Sequence, residues 1–254
     1  MNMTLPKIDE SSFSAREQRI IDTAIVLIAK HGLANTNMDK LTSKLPYSKG
    51  TLYNHFKSKE DLFMAISNRA ISILSGFFQR AAEFEGCSRE KMLLLNFSYL
   101  IFAALYPELF QTTICTKSPS VYKKSSSERI NENEKMEQLL LNVILDIIEK
   151  AKIEGTLTIP TQMSAQQVCF ANWSMNYGTI TLLKDEIESC SGRENLVVEI
   201  EIFNQNNILF DGLQWSPLTK EKDYRASLDH ALQNVFKEEL SLMKDKGREL
   251  FLKA

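Results

Sequence analysis

The segment 36–61 constrains the fold of this chain more than any other, because its sequence predicts two short helices separated by a proline. Thr36 or Asn37 is a suitable N-cap for the first helix. Its apolar residues recur three and four positions apart, as on the buried face of a helix: Met38, Leu41 and Leu45. Pro46 donates no backbone hydrogen bond and disfavours helical geometry at the residue before it, so the first helix is expected to end near Leu45.

The second helix of this segment follows the turn formed by Pro46 and Tyr47. Ser48 is a suitable N-cap, and Leu52 and Phe56 lie four positions apart on the expected inner side. Five residues are left to face outward: Lys49, Thr51, Tyr53, Asn54 and His55. Two short helices joined by a tight turn form a helix-turn-helix, whose second helix can enter the major groove of DNA.

The outward-facing residues have the chemistry that such a helix needs on DNA. Four side chains can reach phosphate oxygens: Ser48, Lys49, Tyr53 and Lys59. The free N–H groups at the start of the second helix attract the same anions. Gly50 has no side chain, which lets a DNA backbone approach closely. Three side chains are the candidate readers of base edges, through hydroxyl, amide and imidazole groups: Thr51, Asn54 and His55.

The run SKGTLYNHFKSKEDL, residues 48–62, resembles the recognition helix and the start of the fourth helix of the TetR family of bacterial transcriptional regulators, also called the TetR/AcrR type. The resemblance implies an all-α fold, with a three-helix DNA-binding domain before a larger helical domain for ligand binding and dimerisation. It implies a first domain at 1–60, with its core at 14–60 and the helix-turn-helix at about 37–56, and a second domain at 61–254.

The same resemblance implies DNA contacts at eight positions: Thr36, Asn37, Ser48, Lys49, Thr51, Tyr53, His55 and Lys59. The chain departs from the family's usual pattern at three positions in the turn and in the helix before it. Thr42 stands where the family has Ala, Pro46 where it has Gly, and Tyr47 where it has a small aliphatic residue. These three departures bear on the geometry of the turn, and the rest of the motif matches the family's pattern.

An ordinary helical bundle with solvated basic residues is the alternative interpretation of 36–61. A bundle gives no reason for Pro46 to end one helix and for a small polar and basic face to begin two residues later. The distribution of charge also favours DNA. Residues 1–59 contain nine Lys and Arg against five Asp and Glu, although the whole chain of 254 residues has a net charge of −2. The basic excess lies in the segment that would meet phosphate.

The remainder of the chain is predicted to be helical. Capping boxes at 14–17 and 58–61 begin two helices, and Gly32 ends the first of them. Further helices are expected at 89–105, 107–115, 128–154, 165–183 and 224–251, with a loop at 116–127. Residues 196–213 combine strand-like alternation with helical spacing. We interpret them as a helix, because an isolated strand would have no partner.

The second domain carries the candidates for a small-molecule site and for an interface. Aromatic and apolar residues of the middle helices could line a pocket for an apolar or aromatic effector: Phe77, Phe102, Phe110, Trp173, Met175, Tyr177 and Phe203. Ordinary core packing is the alternative for each of them. The resemblance implies a homodimer through two late helices, at 165–183 and 194–214, or through the last one. Two reading helices would span half-sites about 34 Å apart in a palindromic operator.

Several other classes of protein lack support in the sequence. The cysteines Cys87, Cys115, Cys169 and Cys190 and the three histidines are widely spaced, which favours neither a metal site nor a disulfide framework. We find no arrangement of catalytic residues and no phosphate-binding glycine loop, so neither an enzyme nor a cofactor is expected. No apolar run reaches the length of a membrane span, and we expect a cytoplasmic protein.

The leading hypothesis is therefore a dimeric, sequence-specific DNA-binding transcriptional regulator. It would act as a repressor that a small-molecule effector releases from its operator. The alternative is a TetR-like protein whose main output is a protein partner, with DNA as a location signal. An enzyme is the third and least supported hypothesis.

Overall fold

The computed structural model describes residues 13–183 and 191–250, and within them the chain forms helices and no strand. The α-helices are α1 Phe13–His31, α2 Met38–Thr42, α3 Lys49–His55, α4 Lys59–Glu83, α5 Ser88–Leu105, α6 Pro107–Cys115, α7 Pro119–Lys124, α8 Ser127–Ile153, α9 Ala165–Leu183, α10 Val198–Gly212, α11 Tyr224–Val235 and α12 Lys237–Asp245. A short 3₁₀ helix spans Ser191–Arg193. The predicted all-α class is confirmed. Cys190 lies outside the described residues.

The chain divides into two compact units, each built from separated pieces of sequence. The first comprises residues 1–72 and 107–136, and the second comprises 73–106 and 137–254. The helices α4 and α8 contribute residues to both units. The first unit contains the three helices expected in the DNA-binding domain, together with α6, α7 and the first turns of α8. The functional boundary after residue 60 stays a prediction.

The helices of the first unit begin and end at residues with identifiable capping chemistry. Gly32 ends α1 with φ at +77°, a conformation that glycine adopts without strain. Asn37 is the N-cap of α2, since its Oδ1 accepts from the backbone N–H of Lys40 at 2.9 Å. Helix α1 already includes Phe13, so Ser14 lies inside its first turn. The prediction that Ser14 caps this helix is therefore wrong.

Helix α2 is shorter than predicted and ends at Thr42, three residues before Leu45. The N–H groups of Lys44 and Leu45 donate to carbonyls only three residues back, at 3.1 and 3.2 Å, which tightens the chain into a turn. Pro46 then prevents any return to helical geometry. Ser48 caps α3 as predicted, with its Oγ accepting from the N–H of Thr51 at 3.1 Å.

Two predictions for the later helices are wrong. The expected loop at 116–127 contains α7, where Pro119 occupies the first turn, the position at which a proline favours helix formation. The expected single helix over 224–251 is interrupted at Phe236, whose backbone leaves helical geometry while its fully buried ring packs 5.6 Å from that of Phe77. Residues 198–212 are helical, which confirms that prediction.

Helix α5 is buried on almost every side and forms the centre of the second unit. Its Asn96 is part of a buried amide cluster: the Nδ2 group donates to Asn206 Oδ1 on α10 at 2.7 Å and to Asn172 Oδ1 on α9 at 3.1 Å. Asn206 in turn donates to Asn176 Oδ1 at 2.8 Å. Since unpaired amides are costly to bury, this cluster fixes how α5, α9 and α10 align.

Arg89, also on α5, is fully buried and holds the segment that follows α10. Its guanidinium donates to the carboxylate of Asp211 at 2.6 Å and to the carbonyl of Trp215 at 2.7 Å. A third bond reaches the carbonyl of Pro217 at 3.0 Å, and the ring of Tyr224 lies 4.6 Å from the guanidinium carbon. Arg89 thereby anchors the start of α11 against α5.

Among the described helices, none is by itself both long and apolar enough to cross a membrane, and only α5 and α6 taken together meet that requirement.

Candidate functional site

The candidate site is the outer face of α3, which two buried residues orient. Leu52 and Phe56 are completely buried and attach the inner side of the helix to the first unit. Six of the predicted DNA-contacting residues are exposed: Asn37, Ser48, Lys49, Gly50, Tyr53 and Asn54. Thr51 and Lys59 are partly exposed. Six of these eight residues lie on α3 or at its N-cap, whereas Asn37 caps α2 and Lys59 begins α4.

The start of α3 combines hydroxyl groups with a backbone that carries no large side chain. The hydroxyls of Ser48 and Thr51 lie 3.0 Å apart, and Ser48 also caps the helix. A Cβ atom added to Gly50 would meet only Ser48 Oγ, at an ordinary contact distance of 3.7 Å. The fold therefore does not require glycine here. A requirement for glycine at this exposed position would come from something that binds there.

Lys49 is held by a carboxylate on the neighbouring helix. Its Nζ lies 2.6 Å from Asp39 Oδ1, and both side chains are largely exposed. The hydrogen bond and the charge of Asp39 raise the pKa of Lys49 above its usual value, so the ammonium group stays charged at neutral pH. An exposed pair of this kind contributes little to stability. Lys49 is therefore free to exchange Asp39 for another anion.

The expectation that His55 faces outward is wrong. Only 2% of its side chain is exposed, and its ring stacks on Phe13 with centroids 3.9 Å apart. His55 lies three positions after the buried Leu52, and therefore falls on the inner side of α3. Its Nδ1 is 3.7 Å from Glu17 Oε2 and forms no hydrogen bond. Burial lowers the pKa of His55, an effect that Glu17 partly opposes.

Thr36 is also buried, with 1% of its surface exposed, which removes its side chain from the predicted contact surface. Its hydroxyl donates to the carbonyl of Gly32 at 2.9 Å, and its N–H donates to the carbonyl of Leu33 at 3.3 Å. Both bonds complete the turn between α1 and α2. Neighbouring Asn37 is exposed, so the boundary of the exposed face lies between these two residues.

Sequence reasoning missed the residues that hold the far end of α3. Arg129, at the start of α8, donates to the carbonyl of His55 at 3.3 Å and contacts the carboxylate of Glu17 at 3.1 Å. No local pattern could have indicated this, because Arg129 lies 74 positions after His55. The capping box before α4 gave a partial signal, since it drew attention to Asp61, which is buried beside Arg129.

The predicted effector residues do not form one cluster in the described contacts. Phe77 and Phe102 meet edge to face with ring centroids 6.3 Å apart, and Trp173 and Tyr177 stack with centroids 6.0 Å apart. The other three lie elsewhere: Phe203 beneath Arg225, Met175 within α9, and Phe110 on α6 of the first compact unit. A pocket lined by these residues stays a prediction.

Comparison with known proteins places the site in a family. Residues 20–66 match the family described as bacterial regulatory proteins, tetR family. The uncharacterised HTH-type transcriptional regulator YerO of Bacillus subtilis is 46% identical over 50 residues, which are 20% of this chain and 17% of that regulator. The chain matches less than half of the length of its curated relatives.

Solved structures share the fold over most of the chain. A bacterial regulatory protein in the tetR family from Rhodococcus RHA1 is similar with a TM-score of 0.59 and 18% identity, over 79% of this chain and 97% of that one. The transcriptional regulator FadR from Bacillus subtilis, in complex with stearoyl-CoA, has a TM-score of 0.55 and 17% identity, over 79% and 98%. Residues 20–66, which contain the helix-turn-helix, therefore match the tetR family of bacterial regulatory proteins, and the fold over most of the chain is that of a solved protein in that family.

Proposed function

We propose that this chain is a sequence-specific DNA-binding transcriptional regulator that inserts α3 into the major groove. The observation that carries the proposal is the contrast between the two faces of α3. Leu52 and Phe56 are completely buried, whereas Lys49, Tyr53 and Asn54 are exposed along the helix. An ammonium, a phenol and an amide can contact phosphates and base edges from one helical face.

Selection of DNA by the purified chain tests this proposal. The chain is mixed with random duplex fragments, and the retained fragments are sequenced. We expect an inverted repeat whose half-sites lie about 34 Å apart. Lys49→Ala and Tyr53→Ala should each weaken binding of the selected duplex about tenfold at fixed salt. Lys150→Ala, at an exposed position of α8 in the second unit, is the matched control. Parental affinity in both α3 variants would rule out α3 as the reading helix.

We further propose that two copies of the chain pair through α9 and α10. Large apolar side chains are exposed on both helices: Phe170 and Trp173 on α9, at 63% and 37%, Leu182 near its end at 57%, and Ile208 on α10 at 73%. In contrast, Leu242 is the large exposed apolar residue on α11 and α12 in the described part of the chain. Large apolar side chains exposed close together are typical of interaction surfaces, which favours α9 and α10 over the last helices.

The oligomeric state of two charged variants tests the pairing. Phe170→Glu and Ile208→Glu would bury a carboxylate in the proposed interface, so we expect monomers in sedimentation velocity. Leu242→Glu is the control and should leave the parental state unchanged. If the parent is itself monomeric, or if both α9 and α10 variants sediment as the parent does, the pairing is wrong.

We propose that binding represses transcription and that an apolar or aromatic small molecule relieves it. Support comes from the aromatic residues of the second unit and from the shared fold of FadR, which has been captured with stearoyl-CoA. An effector would have to change operator affinity by about five- to 150-fold, the range of ordinary allosteric coupling. Stearoyl-CoA is the first probe in a titration of the selected duplex and of a reporter controlled by it. A reporter that becomes more active when the chain is present would exclude repression.

A further inference from the structure

A charged cluster holds the carboxyl end of α3. The Nη2 of Arg129 donates to the carbonyl of His55, the last residue of α3, at 3.3 Å, and lies 3.1 Å from Glu17 Oε2 on α1. Its Nε lies 3.7 Å from Asp61 Oδ1 on α4, and its guanidinium covers the ring of Phe56 at 4.7 Å. One side chain from α8 thus contacts α1, α3 and α4.

The residues just before Arg129 are fixed to the start of α4. Asp61 is 2% exposed, and its Oδ1 accepts from both the N–H and the hydroxyl of Ser126, at 2.8 and 2.9 Å. The other oxygen, Oδ2, accepts from the N–H of Lys57 at 3.0 Å. The hydroxyl of Ser58 donates to the carbonyl of Lys124 at 2.9 Å. The chain at 124–126 is therefore attached to the link between α3 and α4.

A second set of polar contacts continues along α8. Asn133 is buried and donates to Asn68 Oδ1 on α4 at 2.8 Å. Asn68 donates in turn to the carboxylate of Glu132 at 2.8 Å and to the carbonyl of Arg129 at 3.2 Å. Two turns of α8 are thereby fixed against α4, and the position of the Arg129 guanidinium is fixed with them.

We propose that residues 124–133 support the DNA-binding helix α3 from outside the helix-turn-helix. Within this segment, Arg129 is a positioning residue that fixes the direction of α3. The inference rests on the proposed function. A helix of seven residues is too short to be stable alone, so its direction depends on contacts at both ends. Ser48 holds the first end, and Arg129 holds the second by satisfying a terminal carbonyl. The side chain of Arg129 is only 15% exposed, so its effect on DNA is indirect.

Because α8 continues unbroken to Ile153, it joins this contact to the second unit within one helix. Helix α3 thus has a second support, the contact with Arg129, which comes from a part of the chain outside the helix-turn-helix.

Hydrogen exchange of the free, full-length chain tests the inference without DNA. Arg129→Met keeps an unbranched apolar side chain over Phe56 and removes the guanidinium. We expect amides of 49–57 to exchange about tenfold faster, with α5 unchanged. Lys135→Met is the control, because it removes a positive charge from an exposed position of α8 in the same unit. Unchanged exchange of 49–57 in Arg129→Met overturns the inference. If Arg129→Met does not fold, Arg129→Lys is measured in its place. Faster exchange confined to residues 49–57 would then support the inference, and a uniform increase over the whole chain would overturn it.

The salt dependence of DNA binding separates positioning from phosphate contact. On the duplex selected by the parent, Arg129→Met should bind about tenfold more weakly with an unchanged slope of log affinity against log salt. Lys49→Ala should reduce the magnitude of that slope by about 0.9, the value of one phosphate contact. A reduced slope in Arg129→Met would mean that Arg129 itself contacts phosphate, which contradicts the inference. If the parent selects no duplex, the proposed function fails, and the exchange experiment still decides on Arg129.

Discussion

At the scale of single residues, His55 shows how an apparently exposed position on a short helix becomes part of the core. Its ring lies between Phe13 and Glu17 and is almost completely buried. Burial disfavours the imidazolium form, although Glu17 opposes that effect and Arg16 and Arg129 add to it. The pKa of His55 is therefore lower in the folded chain than in the unfolded chain, where it lies near the ordinary histidine value.

This protonation difference predicts a pH dependence of stability. Since the pKa of His55 is lower in the folded state, its contribution is complete above the unfolded pKa of about 6.5 and is lost as pH falls through the folded pKa. We expect the free energy of unfolding in urea to fall more steeply below about pH 6.5 in the parent than in His55→Phe. The variant His230→Gln, changed at an exposed histidine, is the matched control. Equal slopes in parent and His55→Phe would contradict the prediction.

At Gly50, one substitution is expected to change stability and the proposed DNA binding in opposite directions. Its helical backbone has room for a methyl group, so Gly50→Ala should raise the free energy of unfolding by about 0.5 to 1 kcal/mol. The same methyl group would obstruct a close DNA backbone, and we expect weaker binding of the selected duplex. Gly76→Ala on α4, where an added Cβ would meet nothing within 4 Å, should be stabilising with unchanged DNA binding. Undiminished binding by Gly50→Ala would show that DNA does not approach at this residue.

At the scale of helices, the sequence predicted the boundaries that depend on neighbouring residues and missed those that depend on distant contacts. Gly32 and Ser48 act within one turn, and both helix boundaries lie where they were expected. The interruption at Phe236 could not be predicted in the same way, because it depends on the packing of a ring against Phe77 on α4. The same limit applied to the site. Exposure of Lys49 and Tyr53 followed from helical spacing, whereas support from α8 depended on contacts between distant parts of the chain.

On helix α5, the buried Arg89 holds the segment between α10 and α11 by several hydrogen bonds. Removing the guanidinium of Arg89 would take one donor from the carboxylate of Asp211 and from the carbonyls of Trp215 and Pro217, and Asp211 and Pro217 would keep only their bonds from Thr219 and Tyr224. We expect Arg89→Met to lower the free energy of unfolding by about 3 to 5 kcal/mol, measured in urea. Lys91→Met, at a half-exposed position of the same helix, is the control and should change it by less than about 0.5 kcal/mol. Similar losses in both variants would mean that Arg89 contributes no more than an ordinary surface residue.

At the scale of the whole molecule, the two compact units share the helices α4 and α8. Melting either helix would remove residues from both units at once. We therefore expect a single cooperative transition in urea. The chain's two tryptophans, Trp173 and Trp215, both belong to the second unit, so their fluorescence reports on that unit while far-ultraviolet circular dichroism reports on all helices. Coincident midpoints are expected, and separated midpoints would show independent unfolding.

The first unit is completed by residues 107–136, which the chain reaches only after contributing residues 73–106 to the second unit. A ribosome must therefore synthesise past Met136 before α3 receives all of its contacts within the first unit. An engineer who transplants the first 60 residues onto another regulator would leave Asp61, Ser126 and Arg129 behind. If α3 reads DNA as proposed, we expect a chimaera to bind DNA only when it carries both pieces or obtains an equivalent α8 from its host.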